Sequence, residues 1–200
     1  KLKAYLASGI NRISIGVQSF IDDELQFLGR IHSSDDAKKT IELSKKYFSN
    51  INIDLMFALP NQTKESVLYS LNTALSLKPS HLSCYSLILE EGTPLFDEFE
   101  NGRLIPQDED TDRNNFDAIC KTLSENGFSR YEISNFALNG FECKHNLKYW
   151  NCDEYIGLGV SAHSYFNKKR FYNTSDLYQY LNGDFSDEKK SLLLKSDSGQ

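Results

Sequence analysis

The chain has 200 residues, 40% of them apolar, and a net charge of −6. That apolar share builds a core and sets the chain apart from disordered segments. The acidic balance lacks the basic face of a phosphate-backbone binder, and no apolar run approaches the roughly 20 residues that cross a bilayer. No nucleic-acid partner and no transmembrane span are therefore expected.

The chain opens without Met on a helix-like stretch, Lys1-Leu2-Lys3-Ala4-Tyr5-Leu6, and ends on the polar run Lys195 to Gln200. Both ends read as those of a piece of a longer protein. Arg12-Ile13-Ser14-Ile15-Gly16-Val17 predicts a buried strand: it is short, β-branched and preceded by the breakers Gly9 and Asn11. Asp35 to Phe48 predicts a helix with Asp35 as its cap. Ile51 to Phe57 predicts a second strand. Thr63 caps the next helix, with Ser66 at the capping-box position and Val67, Leu68, Leu71, Ala74, Leu75 and Leu77 as its apolar stripe. His81 to Ile88 predicts a third strand. Strands separated by helices of this length imply right-handed crossovers and a parallel sheet, open or closed into a barrel.

The pattern changes after Glu90-Glu91-Gly92-Thr93-Pro94. A helix is expected over Asp110 to Glu125, ended by Asn126-Gly127. Strand-like pieces follow at Ser129 to Phe136, Tyr155 to Tyr165 and Arg170 to Asn173, then a short helix over Thr174 to Leu181. The stretch around His145 predicts a loop between strands, flanked by Gly140 and Gly157.

Functional groups of parallel α/β folds sit at the C-terminal ends of strands. Gln18 ends the first strand, Arg30 follows in the first crossover, and Asp54 lies inside an apolar run where a lone carboxylate is costly to bury. Two readings stay open: a structural Asp54–Arg30 ion pair with Gln18 holding loop backbone, or a ligand site on which all three converge. Cys143, His145, Cys152 and His163 raise a zinc site, but their spacing fits no common zinc pattern. His145 beside Tyr149 and Trp150 also suits a flat iron macrocycle, or a simply packed histidine. Gly157 and Gly159 lack the context of a dinucleotide fingerprint and mark close backbone approach instead. Cys84, Cys120, Cys143 and Cys152 show no CxxC pairing and are expected as reduced thiols in a cytoplasmic setting.

Together, Ile13-Ser14-Ile15-Gly16-Val17-Gln18-Ser19-Phe20, Leu28-Gly29-Arg30-Ile31-His32 and Asn52-Ile53-Asp54-Leu55-Met56-Phe57-Ala58-Leu59-Pro60-Asn61-Gln62-Thr63 resemble the radical S-adenosylmethionine barrel of the coproporphyrinogen III oxidase family. Leu82 to Leu87, Tyr131 to Ala137 and His145 to Trp150 continue the resemblance, in the family's order, to about Asn182. The resemblance implies an α/β fold. Residues 1–92 would form the second half of a partial (βα)6 barrel, and residues 93–200 a truncated α+β C-terminal region. It implies that Gln18, Arg30 and Asp54 bind S-adenosylmethionine, with Ile88 a weaker contact and His163 a departure from the family's apolar residue. It also implies a [4Fe–4S] cluster held upstream by a CxxxCxxC motif that these 200 residues lack, so no metal ligand or catalytic residue is assigned here.

His145-Asn146-Leu147-Lys148-Tyr149-Trp150 resembles the HNxxYW motif of the haem-chaperone branch (HemW). The resemblance then implies haem as ligand, His145 as its contact with Asn146, Tyr149 and Trp150 in support, and delivery to membrane-bound respiratory haem proteins, with transient membrane association left open. The alternatives are an oxygen-independent coproporphyrinogen III oxidase, decarboxylating its substrate by radical chemistry, and an inactive fragment.

Overall fold

The computed structural model describes residues 1–184. Its elements, in chain order, are α1 (Leu2–Ala7), β1 (Arg12–Gln18), α2 (Asp22–Phe27), α3 (Ser34–Lys45), β2 (Asn50–Phe57), α4 (Lys64–Ser76), β3 (His81–Ser86), α5 (Pro94–Glu100), α6 (Glu109–Glu125), β4 (Ser129–Arg130), β5 (Asn135–Ala137), α7 (Lys144–Trp150), β6 (His163–Phe166), β7 (Lys169–Tyr172) and α8 (Leu177–Leu181). Contacts divide the chain into two units, the first Lys1–Glu142 and the second beginning at Cys143. The division falls well beyond the change of pattern near residue 92, because α6 and β5 pack into the first unit.

That unit is a five-stranded sheet in the order β1-β2-β3-β5-β4. The first three strands are parallel, as the strand–helix alternation predicts, and β5 and β4 add on antiparallel. The sheet is therefore mixed and open, the form a partial barrel takes. Alternation along the strands gives it two unlike faces. On β2, Ile51, Ile53, Leu55 and Phe57 are buried; Ile53, Leu55 and Phe57 join a core with Ala37 and Ile41 of α3, Val67, Leu71 and Ala74 of α4, and Ile119 and Leu123 of α6. Asn52, Asp54 and Met56 take the opposite face.

The helix starts follow from local chemistry, with one correction. Ser33, not Asp35, caps α3: its hydroxyl accepts from the Asp36 amide, and the Asp36 carboxylate accepts from the Ser33 amide. Asp35 lies inside the first turn, where its charge favours the helix N-terminus. Thr63 and Ser66 form the expected capping box of α4. Asp108 caps α6 through the Thr111 amide.

The later strands are shorter than their sequence suggests. Ser129 to Phe136 splits into β4 and β5, because residues 131–134 form the turn between two antiparallel strands. Of Tyr155 to Tyr165 only β6 is a strand, with Tyr155 joined to Tyr165 by a single bridge. The expected loop around His145 is helix α7, whose first turn starts after Cys143 without a side-chain cap. Helices α2 and α5 were not legible either, being only six and seven residues long. Gly157 does mark a close approach: a β-carbon there would land on the His163 carbonyl.

Candidate functional site

The face of the sheet left uncovered by α3, α4 and α6 carries the polar residues. Strand register places Ser14 beside Asn52 and Asn52 beside His81, then Gly16 beside Asp54 and Asp54 beside Ser83. Asp54 is half-buried and its two oxygens have separate donors. Asn52 Nδ2 donates to Oδ1 at 2.6 Å, and Ser14 Oγ donates to Oδ2 at 3.1 Å. A carboxylate offers about four lone-pair sites, so acceptor capacity remains for a ligand. Tyr85, the next inward residue of β3, has its phenol held above the ordinary range, first by burial and then by the neighbouring Asp54 charge.

Behind Asp54 lies a buried network. Asn52 is 2% exposed; its Nδ2 also lies 2.7 Å from Ser14 Oγ and 2.9 Å from Ser83 Oγ. His81 is fully buried, with Nδ1 2.6 Å from Asn52 Oδ1 and Nε2 2.8 Å from the Tyr131 hydroxyl. Burial, helped by the Arg12 guanidinium, lowers its pKa to about 3, so the ring is neutral at physiological pH.

Gln18 ends β1 in a left-handed conformation, φ 71°, where the register with β2 slips between Gly16 and Gln18. Non-glycine residues in this region cost of order 1 kcal/mol and concentrate at functional sites. Ala58 and Asn61, just after β2, share the conformation at φ 59° and 60°. The Gln18 amide folds back over Gly16: its Nε2 lies 3.0 Å from where a Gly16 β-carbon would stand. Gly16 pairs with Asp54, so the Gln18 amide and the Asp54 carboxylate share one face. Gln18 is 8% exposed, yet its Oε1 has no hydrogen-bond partner. A buried acceptor left unpaired costs roughly 1–3 kcal/mol, which a donor on a bound ligand would recover.

Arg30 follows α2 with an exposed side chain that forms no ion pair among the described residues. The Asp54–Arg30 structural pair is thus not formed, because Asn52 and Ser14 satisfy Asp54 instead. Gln18 and Asp54 are brought together; no contact joins Arg30 to them, and Ile88, beyond β3, is 74% exposed. Sequence reasoning missed Gly16, Asn52, His81 and Tyr131. The period-2 spacing of Asn52 and Asp54 was a usable sign for the first of the network residues.

In the second unit His145 is exposed on α7. Its Nε2 lies 2.9 Å from the Tyr149 hydroxyl one turn on, and the two rings meet edge to face at 4.9 Å. Tyr149 in turn packs edge-on against Tyr155 at 4.7 Å. The ring that His145 meets is thus Tyr149, while Trp150 is 53% exposed. Tyr149, Cys152, Tyr155, Tyr165 and Arg170 line a cavity of about 140 Å³, too small to enclose a macrocycle. A flat ligand held by His145 would have to lie on the exposed surface of α7. Among the described residues no three His, Cys, Asp or Glu side chains come together to hold a metal, so Cys143, His145, Cys152 and His163 form no zinc site.

Residues 1–74 match the family model of the radical SAM superfamily. The chain is 40% identical over 182 residues to the haem chaperone HemW of Bacillus subtilis, covering 90% of this chain and 48% of that protein. It is 42% identical over 167 residues to the mouse mitochondrial radical S-adenosyl methionine domain-containing protein 1, covering 83% of this chain and 38% of that one. In three dimensions it is similar to the coproporphyrinogen III oxidase HemN of Escherichia coli, a radical SAM enzyme, with a TM-score of 0.73 and 19% identity over 92% of this chain and 46% of the oxidase. The chain spans about half the length of the curated relatives it matches or less.

Proposed function

We propose that this chain, a member of the radical S-adenosylmethionine superfamily, supplies part of the S-adenosylmethionine site and the haem contact of a haem chaperone. The observation that carries the chaperone reading is 40% identity to a curated haem chaperone over nine-tenths of the chain. The oxidase similarity, at 19% identity, supports the fold alone and brings no decarboxylation chemistry with it.

The residues present suit S-adenosylmethionine. The unpaired, buried Gln18 Oε1 accepts from an amino or hydroxyl group. Asp54, with both oxygens already oriented, accepts from ligand hydroxyls or the ammonium. Arg30, exposed and free of an ion pair, is able to fork onto a carboxylate. Ile88 is at most a peripheral apolar contact.

A [4Fe–4S] cluster does not fit the cysteines described here. Cys84 is buried and its thiol is pushed up by that burial; Cys120 is likewise raised, and no cysteine cluster forms. Clusters require several thiolates converging on one site, so no radical step is derived from these residues.

Haem is cargo in this reading. His145 supplies the imidazole, the Tyr149 ring braces it edge to face, and exposed Trp150 is an aromatic neighbour available to the macrocycle. Ligation through Nε2 exchanges the Tyr149 hydroxyl for iron. The clients are membrane-bound respiratory haem proteins, approached from solution or by transient membrane contact; no helix among the described residues is long and apolar enough to cross a membrane.

Haem titration of the wild type and of His145→Ala, followed by absorbance, tests the reading. Loss of the ligand is expected to move the Soret band and weaken affinity. An unchanged spectrum and affinity would make His145 structural.

A further inference from the structure

We infer that Asn52, His81 and Tyr131 are positioning residues that fix the Asp54 carboxylate for its ligand, through a line of hydrogen bonds directed from Tyr131 to Asp54. The inference rests on the reading of Asp54 as an S-adenosylmethionine contact and extends it to residues that touch no ligand.

The direction of every bond follows from the two ends. Ionised Asp54 only accepts, so the atom of Asn52 at 2.6 Å from Oδ1 must be the amide nitrogen. That orientation turns Asn52 Oδ1, also an acceptor, toward His81 at 2.6 Å. His81 Nδ1 therefore carries the proton, and its Nε2, in a neutral ring, accepts. The Tyr131 hydroxyl at 2.8 Å from Nε2 must then donate. Flipping Asn52 would set its amide oxygen against the Asp54 carboxylate, two acceptors at 2.6 Å, and its NH2 against the His81 Nδ1–H, a cost of a few kcal/mol in a buried site. The tautomer of His81 is thus fixed by a carboxylate two residues away in the line.

The placement of these groups argues for a role beyond filling space. Asn52 and His81 are fully buried, whereas Asp54 is half-exposed at the open end of the line. The core on the opposite face is complete without them, from Ile53 and Leu82 of the same strands. A buried polar group is costly unless its partners satisfy it; Ser14 and Ser83 brace Asn52 from the sides, and the line from Tyr131 through His81 and Asn52 ends on the Asp54 carboxylate. Tyr131 also lies in the β4–β5 turn, so the line ties the antiparallel edge of the sheet to the orientation of Asp54.

The test uses the whole protein that carries this sequence and measures S-adenosylmethionine affinity by calorimetry. Tyr131→Phe, which keeps the ring and removes the donor, is expected to weaken binding several-fold. In an Asp54→Asn background the same change is expected to cost nothing further. Nitrogen-15 spectra of His81 give a second measurement: an Nδ1–H ring whose signals move when ligand is added, and stay still in Asp54→Asn. Equal losses from Tyr131→Phe in both backgrounds, no loss in either, or an Nε2–H ring would overturn the inference. Unchanged affinity in Asp54→Asn alone would overturn the S-adenosylmethionine reading, and this inference with it.

Discussion

The two faces of one sheet divide the labour of this protein. Along β2, Ile51, Ile53, Leu55 and Phe57 are at most 5% exposed, and the last three hold α3, α4 and α6 to the sheet. The residues between them, Asn52 and Asp54, share a hydrogen-bond network with Ser14, Ser83 and His81. A period of two thus writes an apolar core and a polar network into the same eight residues without mixing them. The comparison teaches that the two should be separable by mutation, even between adjacent positions.

The sharpest way to break it lies at Ile53. Ile53→Ala, at a fully buried site, is expected to cost roughly 2–5 kcal/mol of stability, read by denaturant melts, while the folded fraction keeps its ligand affinity. A selective loss of affinity there would contradict the division. Asp54→Asn should do the reverse, changing affinity far more than the melt.

The polar face makes its own contribution to pH dependence. His81 has its pKa lowered from 6.5 to about 3, so the folded state resists protonation that the unfolded chain accepts. Its neutral burial is fully compatible with folding above pH 6.5 and destabilises progressively as pH falls toward 3. Between pH 7 and pH 5 the loss should be roughly 2 kcal/mol, and His81→Gln should flatten that part of the stability profile. A profile equally steep in the variant would place the effect elsewhere.

Much of this division was legible in the sequence, and the reason is physical. β1 and β2 are short runs rich in apolar, β-branched residues, β3 follows the breaker Pro79, and Thr63-x-x-Ser66 is a local capping motif, so all declare themselves within a few residues. The polar network was not legible, since Asn52, His81 and Tyr131 meet only through strand register and the β4–β5 turn. Helix α7 was missed because its start has no side-chain cap and its seven residues carry no long periodicity. Gln18, Arg30 and Asp54 were singled out together; strand register joins Gln18 and Asp54 on one face, whereas Arg30 lies exposed after α2, beyond the strands whose register could place it.

Smaller effects sharpen the picture away from the site. Thr63→Ala removes a cap on the helix side of the sheet and should cost about 1 kcal/mol with no change in ligand affinity. In the second unit Tyr149→Phe removes the hydroxyl that competes for His145 Nε2 while keeping the ring against Tyr155. Haem affinity is expected to rise a few-fold, the scale of one exposed hydrogen bond; a fall would make Tyr149 a direct haem partner.

The central claim is that the polar face, ending at Gln18 and Asp54, receives S-adenosylmethionine. Calorimetric binding of S-adenosylmethionine to Gln18→Ala, compared with wild type in the whole protein, tests it most directly, because Gln18 Oε1 is buried without a partner. The account predicts a loss of affinity of about tenfold, the worth of one buried hydrogen bond, with the melt unchanged or slightly improved. Undiminished binding by Gln18→Ala would contradict it.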